Sequence, residues 1–335
     1  MTEAPHPGAV IDAITALGPF FAFTTHPADP SRTAGAPRPG EWQPLDAAAV
    51  AARVTAVRQW LAAAGGQPPA AVEPRVAASV AHLGLAARLL SPALAAAVLH
   101  GILLDHTLAQ VRWQPTLGAP APLSLPESAL RAPLEAARTP GGRPGPGGAT
   151  GRAAVPEGEA SCDASAARAG EGQNLAAPPG AEHIGRTAPD AAPEGGAPAG
   201  AQRHAAPRAA VPPVTAPQAE APADAFAARL ADGPLAELAA LHVPFGLSPH
   251  IALGNTASAL NGAAGMIAAA RPDLAAASAA FAAEVLAREP LRPQAGRTAT
   301  GGFRRRSCCL IYRAAPDRRG ALCGDCALTP SDRRP

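Results

Sequence analysis

Four of the five cysteines in this 335-residue chain lie within nineteen positions: Cys308 and Cys309 are adjacent, and Cys323 and Cys326 form a Cys-x-x-Cys pair. Thiolates gathered this closely are the usual ligands of a soft metal or an iron–sulfur cluster. The Cys323-Gly324-Asp325-Cys326 half suits a tight turn that aims both sulfurs at one metal, Gly324 relieving backbone strain and Asp325 favouring the turn. That half is common to zinc and iron sites. Cys308-Cys309 is less common, because neighbouring side chains on an extended strand point to opposite faces; both ligate only if the backbone kinks or the metal core is broad. A two-iron, two-sulfide core spreads its thiolate positions over two metals. It suits such a pair better than one tetrahedral zinc, whose paired ligands usually have roughly two to four residues between them. The spacing therefore favours a [2Fe-2S] centre on Cys308, Cys309, Cys323 and Cys326, with structural zinc or disulfides as the other readings. The chain has neither the shortness nor the cysteine density of a small disulfide scaffold.

Arg304, Arg305 and Arg306 directly precede the first pair. Three roles are open to them: stabilising the negative charge of a cluster, attracting an anionic partner, or solvating the surface. Other polar residues give weaker signals. The nine histidines, His100 and His106 among them, form no His-x-x-x-His or catalytic motif. His250, in the first turn of a long expected helix, is the one to test for a place near the cysteines. Asn255 can reach a ligand or another loop, with a packing hydrogen bond the commoner role. Cys162 reads as an incidental thiol.

Residues 305–313, Arg-Arg-Ser-Cys-Cys-Leu-x-Tyr-Arg, and residues 322–326, Leu-Cys-Gly-Asp-Cys, resemble the carboxy-terminal signature of the FhuF-like ferric-siderophore reductases. The similarity reaches the 253–260 stretch, Leu-Gly-Asn-Thr-Ala-Ser-Ala-Leu, and the 89–94 stretch, Leu-Leu-Ser-Pro-Ala-Leu, but not the middle of the chain. The family spaces its two pairs more closely than here, where the excess falls in the polar 315–320 segment. Leu253 also stands where relatives often carry tryptophan. The resemblance implies a [2Fe-2S] centre held by the two cysteine pairs, donating one electron to Fe(III) in a siderophore. The chain would then be an oxidoreductase of iron uptake, with a ferric siderophore as substrate. No Gly-rich dinucleotide fingerprint follows a strand, so an external donor, a reductase or ferredoxin, is implied. Two other classes remain: an iron–sulfur electron carrier or redox sensor, and a zinc-stabilised binding protein.

The net charge of +2 points to no nucleic-acid partner. The basic residues are all arginine, which with abundant Ala, Gly and Pro looks like coding bias. The amino terminus lacks the basic start and apolar run of a signal peptide. The apolar stretch 93–104 follows Pro92, ends at Asp105 and is too short for a bilayer. A cytoplasmic protein with no integral membrane segment is expected, in a compartment that keeps thiols reduced.

The elements that must position the cysteines read as mainly α. Asp46 caps a helix over residues 47–64, ended by Gly65, with Val50, Val54, Val57 and Leu61 on its apolar stripe. Pro74 opens a second helix to about residue 90. Ser91 and Pro92 then cap a third, running towards Gln110. A short β-hairpin is expected from the alternation of Val111 and Trp113, then Leu123 and Leu125, about a Gly-Ala-Pro-Ala-Pro turn. Asp224 caps a helix over 224–241, and Ser248-Pro249 starts a long helix ending before Pro272. On it Gly254, Ser258 and Gly262 form a small-residue strip for close packing. A last helix runs from Pro272 to before Pro290, and residues 291–302 form a loop.

Between residues 139 and 222 the bulky apolar residues are Val155, Leu175, Ile184, Val211 and Val214, amid repeated Pro, Gly and Ala. Such a segment buries too little surface to offset its ordering entropy and is expected to be disordered. The organisation is thus an N-terminal helical part (1–138), a disordered low-complexity insert (139–223), a C-terminal helical part (224–302) and the [2Fe-2S]-binding segment (303–335). The two helical parts are expected to pack together. Lengthening a connection from about ten to about eighty-five residues costs only about 2 kcal/mol when its ends are already near.

Overall fold

A computed structural model describes residues 6–27, 41–117, 120–133, 216–298 and 301–328. They form a mainly helical fold with a small sheet, and both helical parts contribute to one continuous core. Most of the expected 139–223 insert, Cys162 included, lies outside the described residues.

The N-terminal part contains α1 (Pro7–Thr15), α2 (Ala47–Ala64) and α3 (Pro74–His100), with strands β1 (Thr24–His26), β2 (Gln43–Pro44), β3 (Ile102–Leu103), β4 (Arg112–Trp113), β5 (Leu123–Pro126) and β6 (Ala132–Pro133). α2 has the expected bounds: Asp46 Oδ1 accepts from the Ala49 amide at 3.0 Å, and Gly65 ends the helix. The expected hairpin is present as β4 and β5, with Trp113 opposite Leu123. It forms the middle of a four-stranded sheet ordered β1-β5-β4-β2, in which β1 joins β5 in parallel.

The chain does not stop at Ser91-Pro92. α3 runs unbroken through Pro92, and Gly101 caps it in the left-handed conformation at φ 62°. The local cap-plus-proline signal is overridden by burial. Leu89, Leu90, Leu94 and Ala95 are at most 4% exposed on both sides of the proline, and burying a leucine contributes about 1.5–3 kcal/mol against about 3 kcal/mol for an internal proline. Ser91 faces the interior and donates to the Ala87 carbonyl at 2.7 Å instead of capping. Its unbroken length makes α3 the one helix among the described residues long and apolar enough to cross a bilayer by length and composition, although most of its apolar stretch is buried inside the fold. Arg88 fastens α3 to the sheet side, donating to the carbonyls of Ala121 at 2.8 Å, Ala22 at 2.7 Å and Phe20. Its burial lowers its pKa to about 10.

The C-terminal part contains α4 (Ala216–Asp232), α5 (Pro234–His242), α6 (Pro249–Ala270) and α7 (Ala275–Leu286), then β7 (Ala295–Arg297) and β8 (Phe303–Arg305). α6 starts at the expected cap, Ser248 Oγ accepting from the Ile251 amide at 3.3 Å. Three expectations are corrected. The helix capped at Asp224 begins upstream at Ala216, within the stretch assigned to the insert, and Asp224 pairs with Arg288 from inside it. Ala223 is fully buried, so the end of that stretch joins the core. The same helix breaks at Gly233, where a Cβ would lie 2.3 Å from the Arg229 carbonyl oxygen, and Pro234 starts α5 afresh. The expected loop 291–302 contains β7, which pairs antiparallel with β8 and brings Gly296 opposite Arg304.

α3 and α6 form the main helix pair, with α2 and α1 also against α3 and α7 against α6. The segment after β8 rests across this pair, its short 3-10 turn at Ile311–Ala314 packing on α3.

Candidate metal centre

Beyond β8 the chain bends, and burial alternates along it. Arg305, Ser307 and Cys309 point inward, while Arg304, Arg306 and Cys308 are more exposed. The adjacent cysteines thus differ in exposure, yet their thiols lie within hydrogen-bond reach of each other. The chain then turns just after the pair, at Leu310, whose φ of 66° lies in the left-handed region. A leucine in that conformation costs about 1–2 kcal/mol. The Leu310 amide donates to Cys308 Sγ at 3.3 Å. The other pair is arranged alike: the Leu328 amide donates to Cys326 Sγ at 3.3 Å, and the Cys326 amide reaches the Cys323 carbonyl at 3.2 Å.

All four cysteines are free thiols, and Cys326 is near enough for its charge to act on Cys308 and Cys323. Cys309 and Cys323 share a hydrogen bond with sulfurs 3.4 Å apart. The Cys309 thiol is pulled well below its ordinary range by hydrogen bonds from Cys308 and Cys323, with the Ile311 amide and the charge of Arg305 adding to them against desolvation. Cys308 and Cys323 are pushed up by the same hydrogen bonds to Cys309 and by burial, and each also feels Cys326. Cys309 and Cys326 are buried at 2% and 6% exposure, whereas Cys308 and Cys323 stay partly accessible. No three His, Cys, Asp or Glu side chains among the described residues converge on a single-ion position. Mutually bonded sulfurs beside a buried guanidinium fit a ligand set that gives up protons to a cationic core.

The three arginines have different places. Arg304 is half-buried and donates to the Ala327 carbonyl, closing the turn after Cys326. Arg306 is exposed. Arg305 is 1% exposed, its backbone amide donates to the Asp325 carbonyl at 3.1 Å, and its Nη2 donates to Asn255 Oδ1. Asn255 in turn donates to the Ser79 carbonyl at 3.0 Å and to Ser79 Oγ at 3.2 Å. Asn255 thus makes a packing bond and also reaches the cysteine segment. His250 meets the base of the β7-β8 hairpin: Gln294 Nε2 lies 2.7 Å from its Nδ1, and the Gln294 carbonyl accepts from the Arg306 amide at 2.9 Å. It is exposed and not among the thiols. His106 is buried, and neither it nor His100 joins a metal-holding group.

Several supporting residues carried no sequence signal. Glu73 accepts from Arg313 at 2.6 and 3.0 Å and from Arg75 at 2.7 Å, tying the turn after Cys309 to the start of α3. Gln67 Nε2 donates to the Ala314 carbonyl at 2.6 Å. His82 on α3 and His242 on α5 meet edge to face with ring centroids 5.1 Å apart. Gly254 was visible as a small residue, and its reason is now specific: it leaves space for Ser307.

Comparison with protein-family profiles, characterised proteins and solved structures finds no match to this chain.

Proposed function

We propose that this chain is a ferric-siderophore reductase of the FhuF-like kind, in which Cys308, Cys309, Cys323 and Cys326 hold a [2Fe-2S] centre. When bound, that group supplies one-electron chemistry. The observation that supports the reading is the hydrogen-bonded contact of Cys309 with Cys308 and Cys323, with Cys326 nearby, on a segment whose motif resembles that family.

The residues divide the work. Cys309 and Cys326 anchor from the interior, while Cys308 and Cys323 form the accessible edge across which an electron is exchanged. The Leu310 and Leu328 amides donate to Cys308 and Cys326 and hold these two sulfurs in place for a metal core. Arg306 presents a cation to solvent beside this edge and favours the approach of an anionic chelate. An external reductase or ferredoxin supplies one electron, and chelated Fe(III) accepts it to become Fe(II). Ferric iron is a hard cation held by anionic oxygen donors, so losing one positive charge weakens that grip and favours release.

Anaerobic purification followed by iron, zinc and acid-labile sulfide analysis is the first test. Two irons and two sulfides per chain are expected. Replacement of any of the four cysteines by serine is expected to remove most of both, and Cys162→Ser to remove neither. The reduced protein is then mixed with a ferric hydroxamate and a ferric catecholate in the presence of a ferrous trap. Stoichiometric zinc without sulfide overturns the cluster. A loaded, reduced protein that discharges to neither chelate is instead an electron carrier or redox sensor.

A further inference from the structure

Arg305 is an unusual place to put a charge. Its side chain is almost fully buried, Nε and Nη1 have no hydrogen-bond partner, and no carboxylate pairs with it among the described residues. A buried ion without a counter-charge carries a penalty of several kcal/mol. Such a position persists when the surroundings supply the missing charge.

The surroundings narrow the source. Asn255 takes Nη2 and is itself fixed by Ser79, so the guanidinium is held from α6 and α3 together. On the α3 side the charge meets His82, a neutral ring that supplies no negative charge and has no hydrogen-bond partner. Within its own segment lie Ser307, whose buried Oγ is also unpartnered, and Cys309, which the Arg305 charge reaches. Asp325, whose carbonyl takes the Arg305 amide, makes no ion pair with the guanidinium, which leaves the cysteine set as the source of negative charge the Arg305 charge reaches. Four thiolates around a [2Fe-2S] core leave a net negative charge that grows on reduction. Arg304 and Arg306 are spent differently, one on the Ala327 carbonyl and one at the surface.

We infer that Arg305 alone of the three arginines is the buried counter-charge of the four-cysteine site, a positioning residue locked in place by Asn255 and Ser79. This rests on the [2Fe-2S] reading above. It makes two effects travel together: the loaded, reduced state is favoured, and the metal-free fold carries an uncompensated ion.

The test uses the full-length chain and three readouts: iron and sulfide content, midpoint potential followed by visible absorbance, and urea unfolding of chelator-stripped protein. Arg305→Gln is expected to lower the potential and to speed iron loss to a chelator by at least about tenfold. Its stripped form is expected to be as stable as the unmodified protein or more so, which a merely structural arginine would not give. Arg306→Gln is expected to leave the potential and iron retention unchanged. An Arg305→Gln protein with unchanged potential and iron retention overturns this inference and leaves the cluster reading standing. Unmodified protein lacking iron and sulfide overturns both. If Arg305→Gln does not fold, Arg305→Lys and Asn255→Ala decide. Lysine keeps the charge and is expected to keep the potential near that of the unmodified protein, whereas Asn255→Ala releases the guanidinium and is expected to lower it. Asn255→Ala at the original potential overturns the inference.

Discussion

Gly254 on α6 and Ser307 on the cysteine segment compete for one volume: a Cβ built on Gly254 would lie 1.8 Å from Ser307 Oγ and 3.2 Å from its Cβ. The absence of a side chain at 254 lets the segment lie directly on the helix one residue before Cys308. Gly254→Ala is expected to destabilise the protein by about 1–3 kcal/mol through overpacking, even after the helix-propensity gain of about 1 kcal/mol. It is also expected to lower iron content. Gly262→Ala, with open space at that position, is expected to be neutral or stabilising. Adding Ser307→Gly to Gly254→Ala is expected to restore part of the loss. Urea midpoints of the four proteins check this, and equal stability of the two single alanine variants defeats it.

Acid is expected to unfold the protein through its buried histidines. Burial, with His242 and Arg305 nearby, lowers the His82 pKa to about 3; burial and Arg229, opposed by Asp105, lower that of His106 to about 4. Unfolding returns both to about 6.5. Between the folded and unfolded values the unfolded chain binds more protons. This contribution is therefore complete above about pH 6.5 and is lost as pH falls, by about 1.4 kcal/mol per pH unit for each ring. His82→Phe is expected to reduce the stability lost between pH 7 and pH 5 by about 2 kcal/mol, measured on stripped protein in urea. The same loss in both proteins rules His82 out.

Glu73 is expected to govern how firmly the cysteine segment stays closed. Burial raises its pKa, but hydrogen bonds from Arg75 and Arg313, with their charges, outweigh that and leave it lowered. Its side chain and that of Arg313 remain 21% and 23% exposed, so the pair contributes only about 1 kcal/mol or less to global stability. Glu73→Gln is expected to leave the urea midpoint nearly unchanged while speeding iron transfer to a chelator by up to about fivefold, the rate equivalent of about 1 kcal/mol. Unchanged transfer would show that Gln67 and the β7-β8 hairpin suffice to hold the segment.

Removing residues 145–215 is expected to leave absolute helical content and iron occupancy nearly unchanged, because that stretch lacks the apolar residues to add to a core. Protease is expected to cut there first. Circular dichroism, metal analysis and timed proteolysis check the two statements. Loss of cooperative unfolding in the shortened chain contradicts them.

The legible parts of the sequence were those governed by local chemistry. Asp46, Gly65, Ser248 and Pro249 set helix ends because a cap satisfies backbone groups within a turn. Trp113 and Leu123 signalled a hairpin because their alternation matches a strand. Pro92 misled because its local signal is that of a helix start, and only burial on both sides, a tertiary fact, carries α3 through it. β7 and β8 carry no strand signature, because Arg297, Arg304 and Arg305 give no apolar alternation. The cysteines declared the candidate site through spacing alone. The distinct place of Arg305 among three identical neighbours did not, since it depends on strand phase and on Asn255, fifty residues earlier in the chain. Glu73 was equally silent, being a surface-type residue whose partner Arg313 lies 240 positions away.

The Asn255–Ser79 bond, where Arg305 also arrives, joins one residue from each side of the low-complexity stretch, and Glu73–Arg313 does the same. Recombination within that stretch would therefore separate partners that must match. A chimera carrying the first half of one relative and the second half of another is expected to load iron only when positions 79 with 255, and 73 with 313, are inherited as compatible pairs. Across relatives these positions are expected to covary, leaving a record of the contact in sequence that no single chain displays.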